Sequence, residues 1–67
     1  MNRREEAEVK VVKAIESLRR DNGYAPSFRE VADKTEISLG TVHSICVDLA
    51  ERGTVTYHPK IARSLAV

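Results

Sequence analysis

Ser38, Thr41, His43 and Ser44 gather in one short stretch of this chain, with Gly40 among them. Hydroxyls donate and accept hydrogen bonds, an imidazole does both through its two nitrogens, and glycine lets a backbone come close to whatever it contacts. Catalysis asks for more. The chain has no P-loop, no dinucleotide fingerprint and no Ser-His-Asp ordering, and His58 has no acidic or nucleophilic partner near it in sequence. Cys46 follows His43 by one helical turn, but two ligands do not make a metal site, and Cys46 falls among apolar residues where a free thiol acts as a small hydrophobe. The chemistry that remains is recognition by hydrogen bonding.

The elements that position these groups can be traced along residues 31–45, which read as two short helices joined by a tight turn. Small Ala32 sits where the helices touch, Val42 and Ile45 hold the second helix on the first, and Thr41, His43 and Ser44 point away. That is the layout of a helix-turn-helix, which offers its second helix to the major groove of DNA. One position departs from the motif: where a turn glycine is usual, this chain has Glu36. A non-glycine residue in the left-handed region costs about 1 kcal/mol, so either the turn adjusts locally or Glu36 bears the strain.

The flanking sequence predicts one helix before this pair and a hairpin after it. Asn2 and Glu5 mark a helix start, and Ala7, Val11, Val12, Ala14, Ile15 and Leu18 recur near helical spacing to about residue 21. Arg19 and Arg20 suit the negative end of that helix, and Asn22-Gly23 stops it. Tyr24-Ala25-Pro26 is an extended connector. Ser27 and Glu30 form a capping box opening a second helix through about residue 35, with Phe28, Val31 and Ala32 inward. Ser38 caps a third helix that Gly53 ends, with Val42, Ile45, Cys46 and Leu49 as its inward stripe. Residues 54–58 then alternate like a strand, Pro59-Lys60 supplies a turn, and residues 63–67 return as a second strand. The expected fold is mainly α with a small β-hairpin: a single winged helix-turn-helix domain over residues 1–67.

Size and composition agree with a small binding domain. At 67 residues about 60% of the unfolded surface can be buried, too little to spare for a deep catalytic cleft. A single cysteine excludes an internal disulfide, and no Cys/His cluster offers a zinc staple. No apolar run approaches the roughly 20 residues of a membrane span, and the polar start, Met1-Asn2-Arg3-Arg4-Glu5-Glu6, is unlike a secretory signal. An intracellular, cytoplasmic protein is expected, with no cofactor, metal or small-molecule ligand. Eleven basic and ten acidic residues leave a net charge of +1, so positive potential must come from placement. Arg3, Arg4, Lys10 and Lys13 interleave with Glu5, Glu6, Glu8 and Glu16, the pattern of i,i+4 pairs on an exposed helix or of a second surface for a partner.

Gly23-Tyr24-Ala25-Pro26-Ser27-Phe28-Arg29-Glu30, then Thr41-Val42-His43-Ser44, then Leu49-Ala50-Glu51-Arg52-Gly53 resemble the amino-terminal DNA-binding domain of the LexA repressor family, with Pro59, Arg63 and Leu65-Ala66-Val67 continuing the likeness. The resemblance covers essentially residues 11–67. It implies that Ser38, Gly40, Thr41, His43 and Ser44 occupy the base-reading positions. Phosphate contacts are expected from Ser27 and Arg29 at the start of the second helix, Arg52 at the end of the third, and Lys60 and Arg63 on the wing. Tyr57 either stacks on a sugar or, as expected here, packs under the wing. The chain departs from that family in three places. The segment before Thr41 is one residue shorter, and Thr56-Tyr57-His58 stands where a basic pair and an acid precede Pro59. The sequence also ends where the family continues into a self-cleaving, dimerising domain with a Ser-Lys pair, as a fragment or a stand-alone relative would.

The expectation is a sequence-specific, double-stranded-DNA-binding transcriptional regulator, a LexA-like repressor of a bacterium, phage or mobile element, and not an enzyme. A homodimer on adjacent half-sites is expected by analogy with the family. Two other readings stay open: a winged-helix protein-interaction module, and an excisionase-like architectural DNA-binding factor.

Overall fold

The computed structural model describes residues 3–58 and 65–66. Three helices make the body: α1 (Arg3–Asn22), α2 (Phe28–Thr35) and α3 (Leu39–Glu51), each packed against the other two. α1 runs to Asn22, one residue beyond the expected end, and its capping residue Asn2 lies outside the described residues. Gly23 stops it in the left-handed region at φ 78°, its N–H donating to the Arg19 carbonyl at 2.8 Å. Buried Pro26 closes the connector.

The expected capping box opens α2. The Glu30 N–H donates to Ser27 Oγ at 3.2 Å, and the Ser27 N–H donates to Glu30 Oε1 at 2.9 Å. Two donors that a helix start leaves open are satisfied by this exchange. At the other end Glu36 stands at φ 60°, ψ 26°. The turn has not adjusted; Glu36 bears the left-handed conformation itself. Thr35 secures the turn, its hydroxyl donating to the Val31 carbonyl at 2.8 Å and accepting from the Ile37 N–H at 3.4 Å. Ser38 then caps α3, accepting from the Thr41 N–H at 3.3 Å.

One core joins the three helices: Val11, Ala14 and Ile15 from α1, Val31 and Ala32 from α2, and Val42, Ile45, Cys46 and Leu49 from α3. Each buried valine, leucine or isoleucine of this core contributes about 1.5–3 kcal/mol on burial. Val55 and Leu65, 1% and 2% exposed, extend that core past the end of α3. No polar or charged residue is buried among those described.

The wing differs from expectation. Gly53 turns the chain at φ 78°, and Thr54 donates back to the Leu49 carbonyl at 2.9 Å. In place of a hairpin of two strands, the described residues hold one antiparallel bridge, Thr56 with Ala66. The two exchange both hydrogen bonds, at 2.8 and 2.9 Å. The alternation expected of residues 54–58 is kept, with Val55 buried, Thr56 exposed, Tyr57 half-buried and His58 exposed. Two strands alone are marginal in water; here it is the burial of Val55 and Leu65 that ties the segment to the helices. The expected turn at Pro59-Lys60 and the start of the return strand lie outside the described residues.

Candidate nucleic-acid interface

The inward stripe of α3 turns its other side to solvent, and there Gly40, Thr41, His43 and Ser44 are all exposed, with Ser38 at the cap. The structure therefore brings together the five residues proposed to read bases. Their hydrogen-bonding capacity is unequal. Ser38 Oγ accepts from the Thr41 N–H and donates to Thr41 Oγ1 at 2.8 Å, so its proton is committed and its main work is capping. The Thr41 hydroxyl, holding that bond as acceptor, keeps its own proton to donate outward.

Gly40 is informative because nothing in the fold requires it. It is helical, its φ lies outside the positive range, and a Cβ built there would meet nothing within 4 Å. Glycine inside a helix costs roughly 0.5–1 kcal/mol relative to alanine. A glycine that folding does not explain, on the first turn of an outward helix, fits close approach by something outside the protein.

Of the phosphate candidates, Ser27 accepts the Glu30 N–H at the α2 cap and keeps its hydroxyl proton to donate. Arg29 is exposed and shares a shallow depression with Ile37, Ser38 and Leu39, which sets its charge beside the start of α3. Arg52 lies elsewhere. Its guanidinium donates to Glu8 Oε2 at 2.7 Å, and that hydrogen bond and the Glu8 charge push its pKa still higher. Arg4 reaches both Glu8, at 3.7 Å, and Asp48, so the charges interleaved along α1 partly pair across to the end of α3. Lys60 and Arg63 lie outside the described residues.

Two contributors were missed in the sequence. Leu39, the first residue of α3, is 43% exposed and stands beside Ser38 and Arg29. By spacing it belongs with Val42, Cys46 and Leu49, so periodicity buries it; the structure leaves it exposed although Val42, in the same turn, is fully buried. An exposed apolar side chain there suits a thymine methyl. Phe28 is the other. Its ring meets His43 edge to face, centroids 5.1 Å apart at 67°, and meets Tyr57 at 5.6 Å and 77°. Tyr57 thus packs, as expected, and against the residue that also orients His43. Cys46 is fully buried, and desolvation pushes its thiol up to about 11, an unreactive core residue. No group of three or more metal-ligating side chains occurs among the described residues, and no described helix is long and apolar enough to cross a membrane.

Three packed helices, a capped turn and an outward polar face on the last helix define a helix-turn-helix DNA-binding domain. Residues 9–59 match the IclR helix-turn-helix domain, and the chain belongs to that family. It is also similar to the LexA repressor of Thermosipho melanesiensis (strain DSM 12029 / CIP 104789 / BI429), with 30% identity over 67 residues, all of this chain and 34% of that protein. The chain thus spans about a third of the length of that curated relative. No solved structure matches it.

Proposed function

We propose that this domain is a sequence-specific, double-stranded-DNA-binding transcriptional regulator acting as a LexA-like repressor in the cytoplasm. α3 enters the major groove with Thr41, His43 and Ser44 toward base edges, Gly40 admits the close approach, and Leu39 adds an apolar contact. Arg29 and the amides at the capped start of α2 take phosphates, and Lys60 and Arg63 extend that grip along the wing. Occupying a promoter then excludes polymerase. Two copies on half-sites about one helical turn apart add affinity that one copy lacks.

The observation that carries the reading is Gly40: a helical glycine in open space, in one outward row with exposed Thr41, His43 and Ser44. The similarity to a LexA repressor supports repression as the outcome.

Selection from a pool of random duplex DNA tests it, run in parallel on Thr41→Ala/His43→Ala. An enriched short motif that the double variant loses is the expected result, and a palindromic motif adds the dimer. Failure to enrich any sequence at low salt, where phosphate contacts are strongest, overturns the reading.

A further inference from the structure

Lys10, Lys13 and Ser17 of α1 face Lys34 and Thr35 of α2 across a groove floored by Ala14, and Lys13 also borders the depression that holds Glu5, Glu8, Glu16 and Arg52. All three lysines are exposed, and none pairs with a carboxylate among the described residues. Glu6 precedes Lys10 by one turn and Asp33 adjoins Lys34, yet the ion pairs of the structure form elsewhere, at Arg4, Arg20 and Arg52. Three lysines outside any ion pair among the described residues, along one groove of a chain of net charge +1, make a local concentration of positive charge.

From this placement we propose that the groove between α1 and α2 docks an acidic peptide segment of a partner protein, separately from DNA. Lys34 and Arg29 lie about 140° apart around α2, at about 100° per residue. A duplex held by α3 and Arg29 therefore leaves the groove on another side of the domain. The floor is recessed: Ala14 is 4% exposed, and Ser17 and Thr35 are half-buried. A carboxylate on a flexible side chain can reach into such a recess, whereas the phosphates of a second duplex are fixed on a broad, stiff ridge. Thr35 has committed its proton to the Val31 carbonyl, which leaves Ser17 to offer the groove's hydroxyl. Lys10 and Lys13, three residues apart, stand on one helix face, and their stems with Ala14 supply an apolar lining.

The test is a titration of the full, isotope-labelled chain with a synthetic peptide of about twelve residues, rich in Glu and Asp with two Leu, followed by amide shifts at low salt. Saturable shifts at residues 10–17 and 34–35 but not at 38–44 are expected. They should weaken about tenfold in Lys10→Gln/Lys34→Gln and vanish with the Gln/Asn version of the peptide. Glutamine keeps both helices, since both sites are exposed and its helix propensity is close to that of lysine; an unchanged melting temperature checks this. The DNA motif selected by the double variant should match the parent's, which separates this docking site from the DNA reading. Absence of saturable shifts, equal shifts in the double variant, or a random duplex moving this groove more strongly than the peptide does would each overturn the proposal.

Discussion

Phe28 at the start of α2 and His43 on the outward side of α3 meet edge to face, 5.1 Å between centroids, while the same Phe28 ring holds Tyr57 at 5.6 Å. One side chain thus fixes the orientation of a proposed base reader and the packing of the segment that follows α3. Aromatic pairs of this geometry contribute about 0.5–1.5 kcal/mol beyond the area they bury. Phe28→Leu keeps an apolar side chain and removes both contacts, so chemical denaturation should show a loss of about 1–2 kcal/mol. The motif selected from random DNA should flatten at the position His43 reads and hold elsewhere, and Phe28→Tyr should restore it. A uniform weakening across all positions would show that Phe28 acts only on stability.

Gly40→Ala separates folding from binding. Because a methyl group there meets nothing within 4 Å beyond its chain neighbours and its own helix backbone, the variant should be more stable by roughly 0.5–1 kcal/mol. Its affinity for the selected motif should nonetheless fall, since the methyl occupies the space of close approach. Denaturation and a binding titration on one preparation decide it.

Glu36 holds the left-handed end of α2 at φ 60°. Glu36→Gly relieves that strain, offset in part by the freedom glycine gains in the unfolded chain, and should stabilise by up to about 1 kcal/mol. Glu36→Val, β-branched at the same φ, should destabilise by more than that. Melting curves of the pair test the sign in each direction.

Cys46 gives the fold an alkaline limit. Desolvation raises its pKa from 9.0 to about 11, so the folded state retains a proton that the unfolded state gives up first. The contribution is complete below pH 9 and is lost as pH rises toward 11. Stability measured across that window should fall more steeply for the parent than for Cys46→Ala, which is less stable at neutral pH but has no thiol to ionise. Thiol-reactive reagents should label Cys46 only at the rate of unfolding.

Much of this molecule was legible because its signals are local. The Ser27–Glu30 capping box, the Ser38 cap and the glycine stops at 23 and 53 depend on residues within one helical turn, and each forms as expected. The stripe Val42, Ile45, Cys46, Leu49 is a period along a single helix, and it is buried. An exposed polar row opposite such a stripe follows from the same periodicity, which is why Gly40, Thr41, His43 and Ser44 could be named from spacing.

Other features depended on residues far apart in the chain. Leu39 shares the phase of the buried stripe and is nonetheless left exposed. Arg52 and Glu8, and Arg4 and Asp48, are each 44 positions apart, and only the packing of α1 against the end of α3 joins them. The wing's alternation was visible, but how far Thr56 and Ala66 pair beyond a single bridge depends on strand partners and buried anchors, not on alternation alone. Local sequence set the three helices, the caps of α2 and α3 and the inward faces, because hydrogen bonds and periodicity act over a few residues. Tertiary structure alone decided which charges are neutralised, which lysines stand free along α1 and α2, and that one phenylalanine orients both His43 and Tyr57, because those outcomes turn on distances between elements that no local pattern encodes.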